Sequence, residues 1–159
     1  MVLSIKSYKT PLRYPGGKSR ACKKMEPFFP DLRYYDAYYE PFLGGGSVAL
    51  HITKKYPKLK IIVNDLYEPL YNFWLRLQVD GDYVHTQLQQ LKSRFPDRGS
   101  ARGLFEDAKE KLYDLDVSDK DRAVCFYIIN KCSFSGLTES SSFSEQASDA
   151  NFSMRGIDK

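Results

Sequence analysis

An α/β fold is what the sequence predicts, and three observations predict it. An aromatic run with strand character, Tyr34, Tyr35, Ala37, Tyr38 and Tyr39, leads into a triple-glycine turn, Gly44-Gly45-Gly46. An amphipathic helical segment follows the turn, and a β-branched run, Lys60-Ile61-Ile62-Val63-Asn64, follows that segment. From Asp82 onward the periodicity becomes helical, which predicts a helical insert attached to the strand-turn-helix unit.

The N-terminal segment carries charge of one sign. Lys6, Lys9, Arg13, Lys18, Arg20, Lys23 and Lys24 all precede the first acidic residue, Glu26. Such a segment suits the phosphates of nucleic acid, attracted in a salt-dependent way, and it suits a solvated basic arm equally well. Within it, Pro15-Gly16-Gly17 makes a tight turn that presents Lys18 and Ser19. A phosphate-loop reading of Gly17-Lys18-Ser19 fails, because that motif needs glycine where Leu12 stands and no strand precedes it. A helix from about Ser19 to Glu26 is expected next, closed by Pro27 and Pro30.

Tyr38 to Leu50 reads as strand, turn and helix, with Ser47 as the N-cap of a helix running to about Tyr56. Glycines in the turn let a ligand approach the backbone, and amides at the helix N-terminus can bind an anionic group. Asp65 follows Gly44 by 21 residues, at the end of the second strand. An acidic residue at that spacing suits a ribose hydroxyl pair, so the combination implies a nucleoside-bearing cofactor. Gly44, Gly46 and Ala49 fit G-x-G-x-x-[GA], a pattern that leaves a dinucleotide, S-adenosylmethionine and a plain structural turn all open. Pro69 fits a first helical position preceded by Glu68, which keeps Asp65 outside the helix and free to face the cofactor; as a helix cap its role would be structural. Leu70, Phe73, Trp74 and Leu77 then form a stripe that reads as core.

In the helical part, Val84, Leu88, Leu91 and Phe95 line one face as far as Pro96, and Leu104, Phe105, Ala108 and Leu112 line another after a Ser100 cap. Ser118 with Asp121 resembles a capping box that opens a helix over Asp119 to Lys131. Its stretch Ala123 to Ile129 is apolar nearly all round and is expected to be buried. The serine-rich stretch Cys132 to Asp149 reads either as a flexible linker or as a hairpin with Phe134 at its tip, able to wedge a ring between bases.

Composition excludes some classes. At 159 residues, with 42% hydrophobic and 14% aromatic content, the chain can bury one core. The apolar run Ala123 to Ile129 is too short to span a bilayer, and Met1 to Ser4 followed by Lys6 and Lys9 is no signal peptide. The expectation is therefore an intracellular, cytoplasmic protein without a membrane partner. Cys22, Cys125 and Cys132 lack C-x-x-C spacing, and His51 and His85 stand apart, so neither a metal site nor a disulfide framework is expected.

Four clusters, in order, resemble those of the Dam-like adenine-specific DNA methyltransferases. They are Arg13-Tyr14-Pro15-Gly16-Gly17-Lys18, Glu40-Pro41-Phe42-Leu43-Gly44-Gly45-Gly46-Ser47, Asn64-Asp65, and Asn130-Lys131-Cys132-Ser133-Phe134-Ser135-Gly136. The resemblance covers nearly the whole chain and selects S-adenosylmethionine as the cofactor. It implies a partial Rossmann-like S-adenosylmethionine-dependent methyltransferase fold. Residues 1–80 would be its cofactor-binding portion, 81–150 a helical target-recognition subdomain, and 151–159 the start of a truncated remainder. It further implies that Tyr14 and Lys18 meet the methionine end of the cofactor, that Phe42, Gly44 and Gly46 cradle it, and that Asp65 holds the ribose. Asn130, Lys131, Phe134 and Ser135 would probe double-stranded DNA. Lys131 stands where the family usually has arginine, and lysine lacks the bidentate fork used in base readout.

The family's catalytic motif, Asp-Pro-Pro-Tyr, occurs nowhere in these residues: all eight prolines are isolated and none follows Pro96. The motif matters because the adenine amine is a poor nucleophile. The family flips the base out, stacks it on the tyrosine and accepts hydrogen bonds from its amine. No catalytic residue is therefore named. Two strands are also fewer than the five or so that a doubly wound sheet normally needs. The expectation is an N6-adenine DNA methyltransferase by descent that is inactive alone. Either the gene ends early, or a second polypeptide supplies the catalytic strand. A non-catalytic DNA-binding module is the other reading, followed by a dinucleotide-dependent enzyme resting on Gly44 to Ala49.

Overall fold

The computed structural model describes residues 9–158; Lys6 of the basic segment and the Met1 to Ser4 segment lie outside the described residues. The first helix, α1 (Cys22–Met25), is one turn long and runs into a 3-10 turn at Glu26–Phe28. It is shorter at both ends than the sequence suggests. The Lys18 carbonyl accepts from both Ala21 and Cys22, so a tight turn replaces the first helical turn, and Pro27 has no N–H to continue the ladder. Asp31 accepts from the Arg33 backbone and bends Leu32–Tyr34 into a second 3-10 turn. That removes Tyr34 and Tyr35 from the expected strand, leaving β1 as Ala37–Glu40.

After the glycine turn, α2 (Ser47–Lys55) carries the chain back to β2 (Lys60–Val63). The strands pair in parallel, in register from Ala37 with Lys60 to Glu40 with Val63, as a strand-helix-strand order requires. The cap of α2 is Gly46 at φ 68°, not Ser47, whose hydroxyl is instead paired with that of Ser19 at 2.8 Å. Among the described residues this sheet has two strands.

The rest is helical. α3 (Glu68–Val79) starts one residue earlier than expected, with Pro69 in its first turn, and leaves Asp65 outside. α4 (Gly81–Arg94) and α5 (Arg98–Leu112) follow, and α5 is capped by Asp97, which accepts from the Ser100 N–H at 2.9 Å; Ser100 itself lies inside the helix. α6 (Asp119–Cys132) opens on the Ser118 cap. Two more helices, α7 (Glu145–Asn151) and α8 (Met154–Ile157), are capped by Ser144 and Ser153.

α6 is the centre of the body. Every residue from Ala123 to Cys132 is buried, because the helix meets α3, α4, α5 and α7 on all sides. Phe126 packs on Phe73 of α3 with ring centroids 5.4 Å apart, and Phe152 and Ile157 close the same core from the C-terminal side. Cys132 to Asp149 is not a linker. A Ser133–Phe143 bridge, a Phe134 N–H to Ser142 carbonyl bond of 3.1 Å and a Ser144 N–H to Cys132 carbonyl bond of 2.9 Å close it as a loop. Phe143 anchors that loop 5.6 Å from Phe105. All three cysteines are buried and free, and burial pushes the Cys125 and Cys132 thiols up to about 11, so they stay protonated and inert. No helix among the described residues is long and apolar enough to cross a membrane. The architecture is thus a mixed α/β one, with a small parallel sheet at the side of a mainly helical body.

Candidate functional site

The glycine turn stands at the C-terminal ends of both strands. Pairing continues past them, with Asn64 N–H donating to the Glu40 carbonyl at 3.0 Å and Leu43 N–H to the Asn64 carbonyl at 2.9 Å, so Asp65 emerges beside the turn. Gly44 and Gly46 have φ of 51° and 68°, a region that side chains rarely enter. Two aromatic rings clasp the turn. A Cβ on Gly45 would lie 2.8 Å from the Tyr14 Cβ, and one on Gly46 would lie 2.7 Å from the Trp74 Cζ2. The Trp74 Nε1–H also donates to the Gly44 carbonyl at 3.0 Å. The sequence reads Trp74 as an ordinary core residue; helical period reveals the stripe but not which member faces the turn.

Asp65 works as a clamp. Its Oδ2 accepts from the Gly44 N–H at 2.8 Å and its Oδ1 from the Tyr67 N–H at 3.1 Å. An ionised carboxylate offers about four acceptor sites, so capacity remains for a pair of hydroxyls. Burial, and then the Asp65 charge, raise the Tyr14 phenol. Lys18 is exposed and donates to the Gly16 carbonyl at 2.7 Å. Phe42 is 82% exposed beside the turn.

Two clefts adjoin this assembly. One of about 320 Å³ is lined by Leu12, Tyr14, Gly16, Ser19, Arg20 and Ser47 among others. The other, of about 290 Å³, is lined by Leu43, Asn64, Asp65, Tyr71 and Trp74 together with β2 side chains. Each is at the small end of ligand sites, and each brings polar groups to an apolar wall. A larger cleft, about 920 Å³, is lined by Phe29, Arg33, Tyr35, Tyr56 and Lys58 among others and holds none of the expected site residues.

Glu40, unassigned by sequence reasoning, ends β1 next to the turn. Burial raises its carboxyl, against the Tyr38 hydroxyl that donates to it at 3.4 Å. A raised folded-state value means that Glu40 supports the fold below its unfolded value, and that this contribution is lost as pH rises through the folded value. Glu40→Gln is therefore expected to melt at or above the wild-type temperature at pH 7, with the difference shrinking toward pH 4. Melting curves across that range test it.

The four residues expected at DNA divide into two pairs. Phe134 is 66% exposed and Ser135 beside it has φ 55°, but both lie in the turn Phe134–Gly136 just past the Ser133–Phe143 bridge, at the base of the loop and not at the hairpin tip that the sequence suggests. Asn130 and Lys131 are buried. Asn130 is 1% exposed and its amide is committed to backbone groups of Arg13 and Gly136, while the Lys131 ammonium lies 5.0 Å from the Tyr127 ring centre. Arg13 likewise spends its guanidinium on the Ser133 carbonyl at 2.8 Å. Among the described residues no three His, Cys, Asp or Glu side chains gather as a metal would need.

Comparison with known proteins bears on this geometry. The model of the D12 class N6 adenine-specific DNA methyltransferase family matches residues 14–154. The chain is also similar to the type II methyltransferase M.MjaIII of Methanocaldococcus jannaschii, with 27% identity over 139 residues that make up 79% of this chain and 46% of that protein. It thus spans about half the length of the curated relative it matches.

Proposed function

The chain belongs to the D12 class N6 adenine-specific DNA methyltransferase family, and on that premise we propose that it binds S-adenosylmethionine at the glycine turn and double-stranded DNA at the Phe134 loop. One observation carries the reading: Tyr14, Gly44 and Asp65, distant in sequence, meet at the carboxyl ends of two parallel strands, where open α/β sheets bind ligands. Asp65 has acceptor capacity for the ribose, Phe42 a ring for the adenine, and Lys18 an ammonium for the methionine carboxylate. Gly44 and Gly46 let Tyr14 and Trp74 close on the turn and shape it. Residues 1–80 then act as the cofactor portion of a Rossmann-like fold, 81–150 as the target-recognition part, and 151–159 as the start of a further portion.

S-adenosylmethionine, when bound, supplies an electrophilic methyl group; these residues hold and orient it. The acceptor side is different. The family's Asp-Pro-Pro-Tyr motif does not occur among these 159 residues, so they are expected not to transfer the methyl group alone. A second polypeptide bearing that motif would complete the site. The same reading expects an intracellular protein, where its cofactor and DNA are.

Titration calorimetry with S-adenosylmethionine, and NAD as the control, tests the cofactor assignment; saturable binding of the first alone is the expected result. A labelled-methyl assay on adenine-containing duplex tests the second statement, and transfer by the purified chain would overturn it. A salt-sensitive gel shift with no S-adenosylmethionine binding would favour a plain DNA-binding module. Phe134→Ala is expected to weaken duplex binding about tenfold, since a ring stacked on a base contributes about 1–3 kcal/mol, and to leave cofactor affinity unchanged.

A further inference from the structure

The N-terminal element and the recognition loop are tied together in a way that neither binding assignment requires. The Asn130 Oδ1 accepts from the Arg13 N–H at 2.9 Å, and its Nδ2 donates to the Arg13 carbonyl at 2.7 Å. One side-chain amide thus engages both backbone groups of one residue, as a neighbouring strand would. The same Nδ2 donates to the Gly136 carbonyl at 2.9 Å, and the Arg13 Nη1 donates to the Ser133 carbonyl at 2.8 Å. Gly136 has φ 75°, and a Cβ there would lie 2.7 Å from both the Cβ and the carbonyl oxygen of Arg13. Loop and N-terminal element are in direct backbone contact. Because Asn130 is buried, these bonds cannot be exchanged for bonds to water without a penalty.

The next residue is Tyr14, whose ring lies on Gly44 and Gly45. Residue 13 is clamped to the recognition loop and residue 14 rests on the turn, and the peptide joining them is planar and stiff. A ligand that fixes Tyr14 therefore restricts Arg13, and through it the loop.

We infer that Arg13-Tyr14 is a strap coupling the two sites, with Asn130 as its positioning residue, so that occupancy of the cofactor turn orders the Phe134 loop. This rests on the reading of the turn as the S-adenosylmethionine site. The cofactor meets part of the ordering cost of the loop in advance, so cofactor and DNA raise each other's affinity by the same factor.

Hydrogen exchange read by mass spectrometry on the full chain tests this, with and without saturating S-adenosylmethionine. In the wild type, exchange in peptides covering 132–144 is expected to slow by about fivefold or more on cofactor addition, a coupling of ordinary size. In Asn130→Ala that transmitted protection is lost while the Gly44–Ser47 peptide is still protected. Arg13→Ala, which retains the main-chain bonds to Asn130 and is the milder variant should the first not fold, reduces it. Full loop protection in both variants would make Asn130 a purely structural residue and overturn the inference. So would a wild-type chain in which the cofactor protects the turn and leaves the loop unchanged. Absence of any protection at the turn would instead remove the cofactor assignment itself, and the strap with it.

Discussion

Asp65→Ala is expected to lose S-adenosylmethionine binding by about a hundredfold or more. The carboxylate does two jobs. It holds the Gly44 N–H at 2.8 Å, which fixes the turn, and in the proposed assignment its remaining acceptor sites would take the ribose. Hydrogen bonds to charged groups contribute about 1.5–3 kcal/mol each, and 1.4 kcal/mol is a factor of ten, so losing one at the turn and one at the ribose reaches that figure. Asp65→Asn keeps one acceptor for Gly44 and should fall between the two. Calorimetry with a melting curve for each variant checks this. Wild-type affinity in a folded Asp65→Ala would remove the ribose assignment.

The second large effect is on stability. Phe126→Ala should destabilise the chain by about 3–5 kcal/mol, because the ring is fully enclosed by α3 and its neighbours and the cavity cannot collapse onto a rigid aromatic cluster. For a chain of this size that is a fall of about 10 °C or more in melting temperature. Phe126→Leu, which conserves most of the volume, should cost less than about 1.5 kcal/mol. Urea unfolding followed by circular dichroism measures both. Phe134→Ala, which removes an exposed ring, should leave the unfolding curve where it is.

The two kinds of prediction rest on features that differ in how plainly the sequence displays them. α6 is legible to within a residue at its end, because a run apolar on every side has one stable environment. Caps are harder. The sequence points to Ser100 and Ser47, but Asp97 takes the first cap by a local bond to the Ser100 N–H, and Gly46 takes the second, packed against Trp74. Serine-rich composition suggests a linker over Cys132 to Asp149, yet Ser144 caps a helix and Ser133, Ser141 and Ser148 are buried. Composition counts hydroxyls without saying which of them replace water with protein partners. The recognition motif places Asn130 among the residues that would probe DNA, whereas the structure buries it against Arg13, 117 positions away, and no local pattern gives the direction of a side chain whose bonds are that remote.

Trp74 is the chain's one tryptophan, and its indole N–H is bonded to the carbonyl of Gly44. All tryptophan emission therefore originates at the glycine turn. A ligand that pulls on that carbonyl, or excludes water from the ring, alters the colour and intensity of the emitted light. The protein carries an unlabelled optical gauge of the turn proposed to hold its cofactor.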